Sequence, residues 1–189
     1  MSDPASPPGA SGGMLLLCVD VQPVFLGVMS AAEALSRRIS FALESAQGLG
    51  LPIIFTEQVP RKLGGTAPAL LGLVPQPTVL GKTAFSALGD IGIREALRQR
   101  AVRQLVICGL ETPVCVYQTA VDALAAGYAV TVLSDAVGSR REDDAQAVLA
   151  ALRHSGVRVL PAETFFYAQL GDARHPFFKT YTQLVKKYA

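Results

Sequence analysis

Short, continuous apolar runs alternate along this chain with segments whose apolar residues recur every three to four positions. The first run, "MLLLCVD" from Met14, is apolar throughout and ends on the carboxylate of Asp20. A run without alternation reads as a strand buried on both faces. In the next segment, "AAEALSRRISFALESAQGLG", Leu35, Ile39, Leu43 and Ala46 share one helical face, and Gly48 or Gly50 supplies the stop. "PIIFTE" predicts a second buried strand. "QVPRKLGGTAPALLGLVPQP" then predicts a long Pro- and Gly-rich loop, and loops of that length are usually functional.

A short strand over "TVLGK" leads to a helix from Ile91 to Arg100, with Asp90 as its N-cap. "QLVICGL", "YAVTVLSDA" and "VRVLP" read as further strands. "TPVCVYQTAVDALAAG" and "EDDAQAVLAALRHSG" read as the helices between them, and "AETFFYAQL" and "HPFFKTYTQLVKKY" as two closing helices. Strands of this length alternating with helices predict right-handed crossovers and a parallel sheet, hence a three-layer αβα sandwich with a mostly parallel sheet. Residues 1–13, "MSDPASPPGASGG", have no periodicity and are expected to be a disordered arm, with one compact domain over 14–189. The arm has no basic segment followed by an apolar run, so it does not read as a secretion signal.

Composition narrows the function classes. Seventeen Lys and Arg stand against fifteen Asp and Glu, a net charge of +2 that gives no electrostatic footprint for nucleic acid or an anionic membrane. No apolar stretch is long enough to span a bilayer. Three cysteines without repeated spacing fit a reducing compartment, and the expected location is the cytoplasm.

In open parallel sheets ligands bind beyond the carboxyl ends of the strands. That rule selects Asp20, Glu57, Cys115 and Asp135. Asp20 reads either as a functional carboxylate or as a solvated strand end. Thr112 is a good N-cap and Pro113 suits the first helical position, which puts Cys115 in the first turn of a helix. Free N–H groups and the positive end of the helix dipole favour a thiolate there, although a nearby Asp20 charge would oppose it. Cys18 and Cys108 lie inside apolar strands and read as core residues.

Two nucleotide signatures fail. Lys82 in "LGKT" imitates the end of a phosphate-binding loop, but Gln76 stands where the first glycine belongs, and "GLGLPI" lacks the third glycine of a dinucleotide fingerprint. The two histidines, His154 and His175, lie on separate late elements, so neither a metal nor another cofactor is expected. His154 reads as a helix C-terminal residue, and His175 either caps the last helix or lines the site.

Taken together, "LLLCVDVQPVF", "GKTAFSA" and "ICGLETPVCVYQTAVDALAAGYAVTVLSDAVGSR" resemble the isochorismatase-like cysteine hydrolases, from Leu15 onward. "FTEQ" and "GDARHPFFK" resemble the branch called isochorismatase domain-containing proteins and their bacterial relatives. The resemblance implies a Rossmann-like sheet, a small-molecule substrate and a homo-oligomer, dimer or larger. It also implies Asp20 as general base, Lys82 as electrostatic partner and Cys115 as the nucleophile that forms an acyl-enzyme. The backbone N–H groups of Glu111 and Cys115 would form an oxyanion hole, with a cis Leu110–Glu111 bond. Gln22, Phe25, Glu57 and Val114 would bind substrate. Nicotinamide-hydrolysing relatives often carry metal-binding histidines in the loop after the second strand, and "TEQVPRKLGG" has none. The expected reaction is hydrolysis of a small amide or related C–N bond. Vinyl-ether hydrolysis of isochorismate and a catalytically quiet binding domain are the alternatives.

Overall fold

The computed structural model describes residues 12–29 and 31–189. Six strands form one sheet in the order β3-β2-β1-β4-β5-β6, and every neighbouring pair is parallel. They are β1 (Met14–Val19), β2 (Ile53–Gln58), β3 (Thr78–Lys82), β4 (Gln104–Leu110), β5 (Ala129–Gly138) and β6 (Arg158–Leu160). Of the predicted arm, residues 1–11 lie outside the described residues. Gly12 and Gly13 form the turn into β1, with the Gly13 carbonyl accepting from Arg103 and Gln104 N–H.

The helices are α1 (Pro23–Leu26), α2 (Ala32–Gly48), α3 (Pro60–Leu63), α4 (Pro68–Leu71), α5 (Ile91–Gln99), α6 (Tyr117–Ala125), α7 (Glu142–His154), α8 (Ala162–Leu170) and α9 (Phe178–Tyr188). None of the described helices is long and apolar enough to cross a membrane. One turn each, α1, α3 and α4 begin on a proline, and periodicity over so few residues does not announce them. The long loop after β2 therefore carries two helical turns of its own. Asp90 caps α5 as expected, its Oδ1 accepting from Ile93 N–H at 3.1 Å. Gly50, not Gly48, ends α2: it takes φ +69, and Leu51 N–H returns to the Ala46 carbonyl at 2.9 Å.

Alternation along the strands divides the core in two. Leu16, Cys18, Phe55, Val106 and Cys108 face α2, α8 and α9, where Phe41, Phe166 and Tyr181 pack ring against ring. Leu15, Leu17, Val19, Ile54, Leu105 and Ile107 face α5, α6 and α7 together with Cys115. The strand order reverses direction between β1 and β4, so the switch point at which sheets of this kind bind ligands lies beyond Val19 and Leu110. Asp20 and the turn carrying Cys115 follow those two strand ends.

Candidate active site

Three residues that directly follow strands at this edge take the left-handed conformation without being glycine: Asp20 (φ 53), Val59 (φ 41) and Glu111 (φ 56). Each costs about 1–3 kcal/mol, and strain of this kind collects where a site imposes it. The turn at Asp20 swings its carboxylate across β2. There Asp20 Oδ1 accepts from Thr56 Oγ1 at 2.7 Å, and Oδ2 accepts from Lys82 Nζ at 2.7 Å.

Lys82 ends β3, and its ammonium also donates toward Gln58 Oε1 (2.6 Å) and the carbonyls of Ala84 (3.2 Å) and Phe85 (3.0 Å). The side chains of this ion pair are 0% and 1% exposed. A buried pair is tolerable when the remaining donors and lone pairs are also satisfied, as they are here.

The third member approaches from β4. Gly109 takes φ +125, and a Cβ there would run into the main chain of Val19, so the two strands touch at this residue. Past Leu110, Glu111 turns left-handed and starts a π-type turn, Thr112–Val116, that leads into α6. This corrects two expectations. The N-cap position belongs to Glu111 rather than Thr112, whose buried hydroxyl has no hydrogen-bond partner. The Leu110–Glu111 peptide is trans, and the left-handed Glu111 itself redirects the chain. The Glu111 carbonyl accepts from Val114 (2.9 Å) and Val116 (3.3 Å) N–H, passing over that of Cys115. π-type turns inside helices occur frequently at functional sites.

Cys115 is 4% exposed and close enough to Asp20 and Lys82 that both charges act on its thiol. Burial pushes its thiol up to about 12. The Asp20 charge adds to the rise and Lys82 opposes it. The resting group is therefore a thiol, not the thiolate that a helix terminus alone would favour. Cys18 and Cys108 are register partners on β1 and β4, on the other face of the sheet, and burial also holds the Cys18 thiol well above its ordinary value.

These shifts have a consequence for stability at alkaline pH. Above the ordinary thiol value of 9.0 the unfolded chain releases protons that native Cys115 and Cys18 keep, so stability falls as pH rises. Tyr181, raised chiefly by burial, joins above its ordinary 10.0. Each group removes about 1.4 kcal/mol per pH unit across its window. The urea midpoint at about pH 10.5 should lie clearly below that at about pH 8.5, and equal midpoints would contradict these shifts.

The other predicted site residues are placed as follows. Gln22 is fully buried with its amide committed to main chain: Oε1 accepts from Gln58 N–H, and Nε2 donates to the carbonyls of Gln58 and Gly64. Glu57 Oε1 accepts from Thr66 N–H (2.6 Å) and Thr66 Oγ1 (2.9 Å), tying the loop over 59–77 to β2. Phe25 and Val114 are half-buried, each packed on one of the two cores. Glu111 is buried and its carboxylate accepts from Arg140 Nε at 2.8 Å.

Asp135 faces away from this cluster. It accepts from Arg38 Nε and Nη2 and from Ala162 N–H, which caps α8. His175 Nδ1 accepts from Phe177 N–H, so it caps the chain entering α9, and His154 ends α7. Thr56, Gln58 and Arg140 were not singled out from the sequence. Thr56 and Gln58 had a signal, since they are polar residues two apart and so share one face of the strand, following the apolar Ile54 on that face.

Known proteins resemble this chain in sequence and in fold. The sequence profile of the isochorismatase domain matches residues 14–164. Isochorismatase domain-containing protein 2 of Bos taurus is 38% identical over 180 residues, covering 95% of this chain and 85% of its own. The secreted isochorismatase effector Isc1 of Phytophthora sojae is 32% identical over 179 residues, covering 93% and 85%. The solved structure of the MAR1 ribonuclease from Caenorhabditis elegans superposes with a TM-score of 0.86 at 28% identity, covering 93% of this chain and 90% of that one. The parallel sheet and the sequence match from β1 to the first residues of α8 agree: the chain belongs to the isochorismatase domain family of hydrolases.

Proposed function

We propose that this family member hydrolyses a small amide or related C–N bond through a covalent acyl intermediate on Cys115. The observation that carries the reading is the meeting of the Cys115 thiol with a buried carboxylate–ammonium pair at the switch point between β1 and β4. A thiol pushed up to about 12 is a poor nucleophile at rest, so its proton passes to Asp20 as sulfur attacks the substrate carbonyl. Lys82 and Thr56 hold the carboxylate in place while it accepts the proton. The N–H groups of Glu111 and Cys115 receive the oxyanion, each worth about 3 kcal/mol of barrier. Asp20 returns the proton to the leaving amine as the C–N bond breaks. Water then gives a proton to Asp20 while its oxygen attacks the thioester. The acid leaves, and the proton goes back to sulfur.

In this scheme Phe25 and Val114 flank the bound substrate, whereas Gln22 and Glu57 act through the loop they hold. Cleavage of RNA, the activity in the name of the nematode structure, would ask for a cation that faces phosphate. The Lys82 ammonium has three protons and four acceptors already within reach, so it has none to offer.

The test is a panel of small primary amides, read by ammonia release and by the mass of an acyl adduct on Cys115, with isochorismate and a short RNA alongside. Amide turnover with an adduct is expected. It should survive exhaustive chelation, because the two histidines serve separate helix ends and no group of three or more His, Cys, Asp or Glu among the described residues is placed to hold a metal ion. Pyruvate released from isochorismate without any adduct would replace this reading with vinyl-ether chemistry. Loss of turnover on chelation, restored by one divalent ion, would overturn the metal-free mechanism.

A further inference from the structure

The strand that follows Cys115 in the sheet reaches back to the turn that presents it. β5 pairs with β4 as far as Gly138 opposite Leu110, and the chain then bends. Ser139 Oγ bonds to both the N–H and the carbonyl of Arg141, so the bend holds Arg140 between them. From that bend Arg140 Nε meets Glu111 Oε1 at 2.8 Å. The Glu111 side chain is 9% exposed and the Arg140 side chain 63%, so a nearly buried carboxylate depends on a cation from the surface.

Glu111 is also the left-handed residue whose carbonyl takes Val114 and Val116 N–H and passes over that of Cys115. Its side chain, its main-chain turn and the direction of the Cys115 N–H are thus mechanically one unit. A carboxylate left without its cation would seek water, and the main chain at Glu111 would rotate with it.

We propose that Arg140 is a positioning residue for the nucleophile turn, holding Glu111 in its left-handed conformation so that the Cys115 main chain faces the reacting carbonyl. The role rests on the assignment of Cys115 as nucleophile and deepens it. Arg140 acts on the reaction only through Glu111.

The experiment compares Arg140→Ala, Arg140→Lys, Glu111→Gly and the Glu111→Gly/Arg140→Ala double variant in the full chain. Each is read by melting temperature, by the rate at which iodoacetamide alkylates Cys115 at one fixed pH, and by kcat and KM on an amide turned over by the parent. Arg140→Ala should slow alkylation and lower kcat about tenfold, with little change in KM or melting temperature, since a small displacement near the reacting atoms is costly to rate. Arg140→Lys should recover much of the loss. Glycine takes the left-handed conformation without support. Removing Arg140 in the Glu111→Gly background should therefore cost nothing more.

Equal losses from Arg140→Ala in both backgrounds, or no loss in either, would overturn the role. A fall in melting temperature large enough to account for the lost rate would do the same. Alkylation does not depend on the substrate. If no amide is turned over but the alkylation pattern holds, the amidase reading fails and the positioning role stands.

Discussion

Cys115→Ala is expected to lower amide turnover by about 10^4-fold or more while leaving substrate binding largely intact, because deleting sulfur opens space and buries no new charge. Asp20→Asn should approach the same loss: it keeps size and hydrogen bonding but cannot take the thiol proton. Lys82→Ala should be as severe for rate. It should also cost about 3–5 kcal/mol of stability, since it strands the Asp20 carboxylate in a site where both partners are buried. Residues that serve one step do not contribute additively, so either change added to Cys115→Ala should cost turnover little more. Turnover of the singles and doubles on one amide, with the acyl adduct trapped by mass, measures this. Near-normal turnover in Cys115→Ala would remove the covalent step from the reaction.

Gly109→Ala carries the largest expected effect on stability. At φ +125 a Cβ is already strained, and here it would also meet the carbonyl oxygen and nitrogen of Val19, neither of which can move without parting β1 from β4. A loss of about 4 kcal/mol or more is expected, at the upper end of single-site effects. The same movement would separate Asp20 from the Cys115 turn, so residual folded protein should also be slow. Urea titration with turnover measured on the refolded fraction checks both parts. A variant within about 1 kcal/mol of the parent would show that the strands are not in contact at this point.

The strands were legible because a parallel sheet covered on both faces demands continuous apolar runs, as in "MLLLCV" and "QLVICGL". β5 runs on past the predicted end to Gly138, through the irregular register opposite Ile107 and Gly109. That irregularity depends on a neighbouring strand and leaves no mark in local sequence. It is also why Asp135, read as a strand end, lies within β5 and serves Arg38 and α8 instead.

At the site, Asp20 and Cys115 stood out by position, one ending an apolar strand and the other opening a helix. Lys82 did not, because one lysine in "LGKT" has no local signature, and only the family resemblance drew it in. Its company of Thr56 and Gln58 is set by the β2–β3 register, where Gln58 lies beside Lys82. The left-handed Glu111 was illegible for a different reason: glycine advertises that conformation and glutamate does not.

The order of the strands has a consequence for how this site comes into being. β1 is made first, but its partner on one side is β4, with Met14 pairing Gln104. Nearly half of the chain, including β2 and β3, emerges between them. Contacts so distant in sequence pay their loop-closure entropy before they are rewarded, and they form slowly. Asp20 and Lys82 can meet across one half of the sheet as soon as β3 joins β2 and β1. Cys115 arrives only when β4 docks on the other side. The carboxylate and ammonium can therefore neutralise one another without β4, and the nucleophile joins that charge pair only through β4. Assembly of the site waits for β4 to close on β1, so no form of this chain in which those two strands are apart carries a finished site.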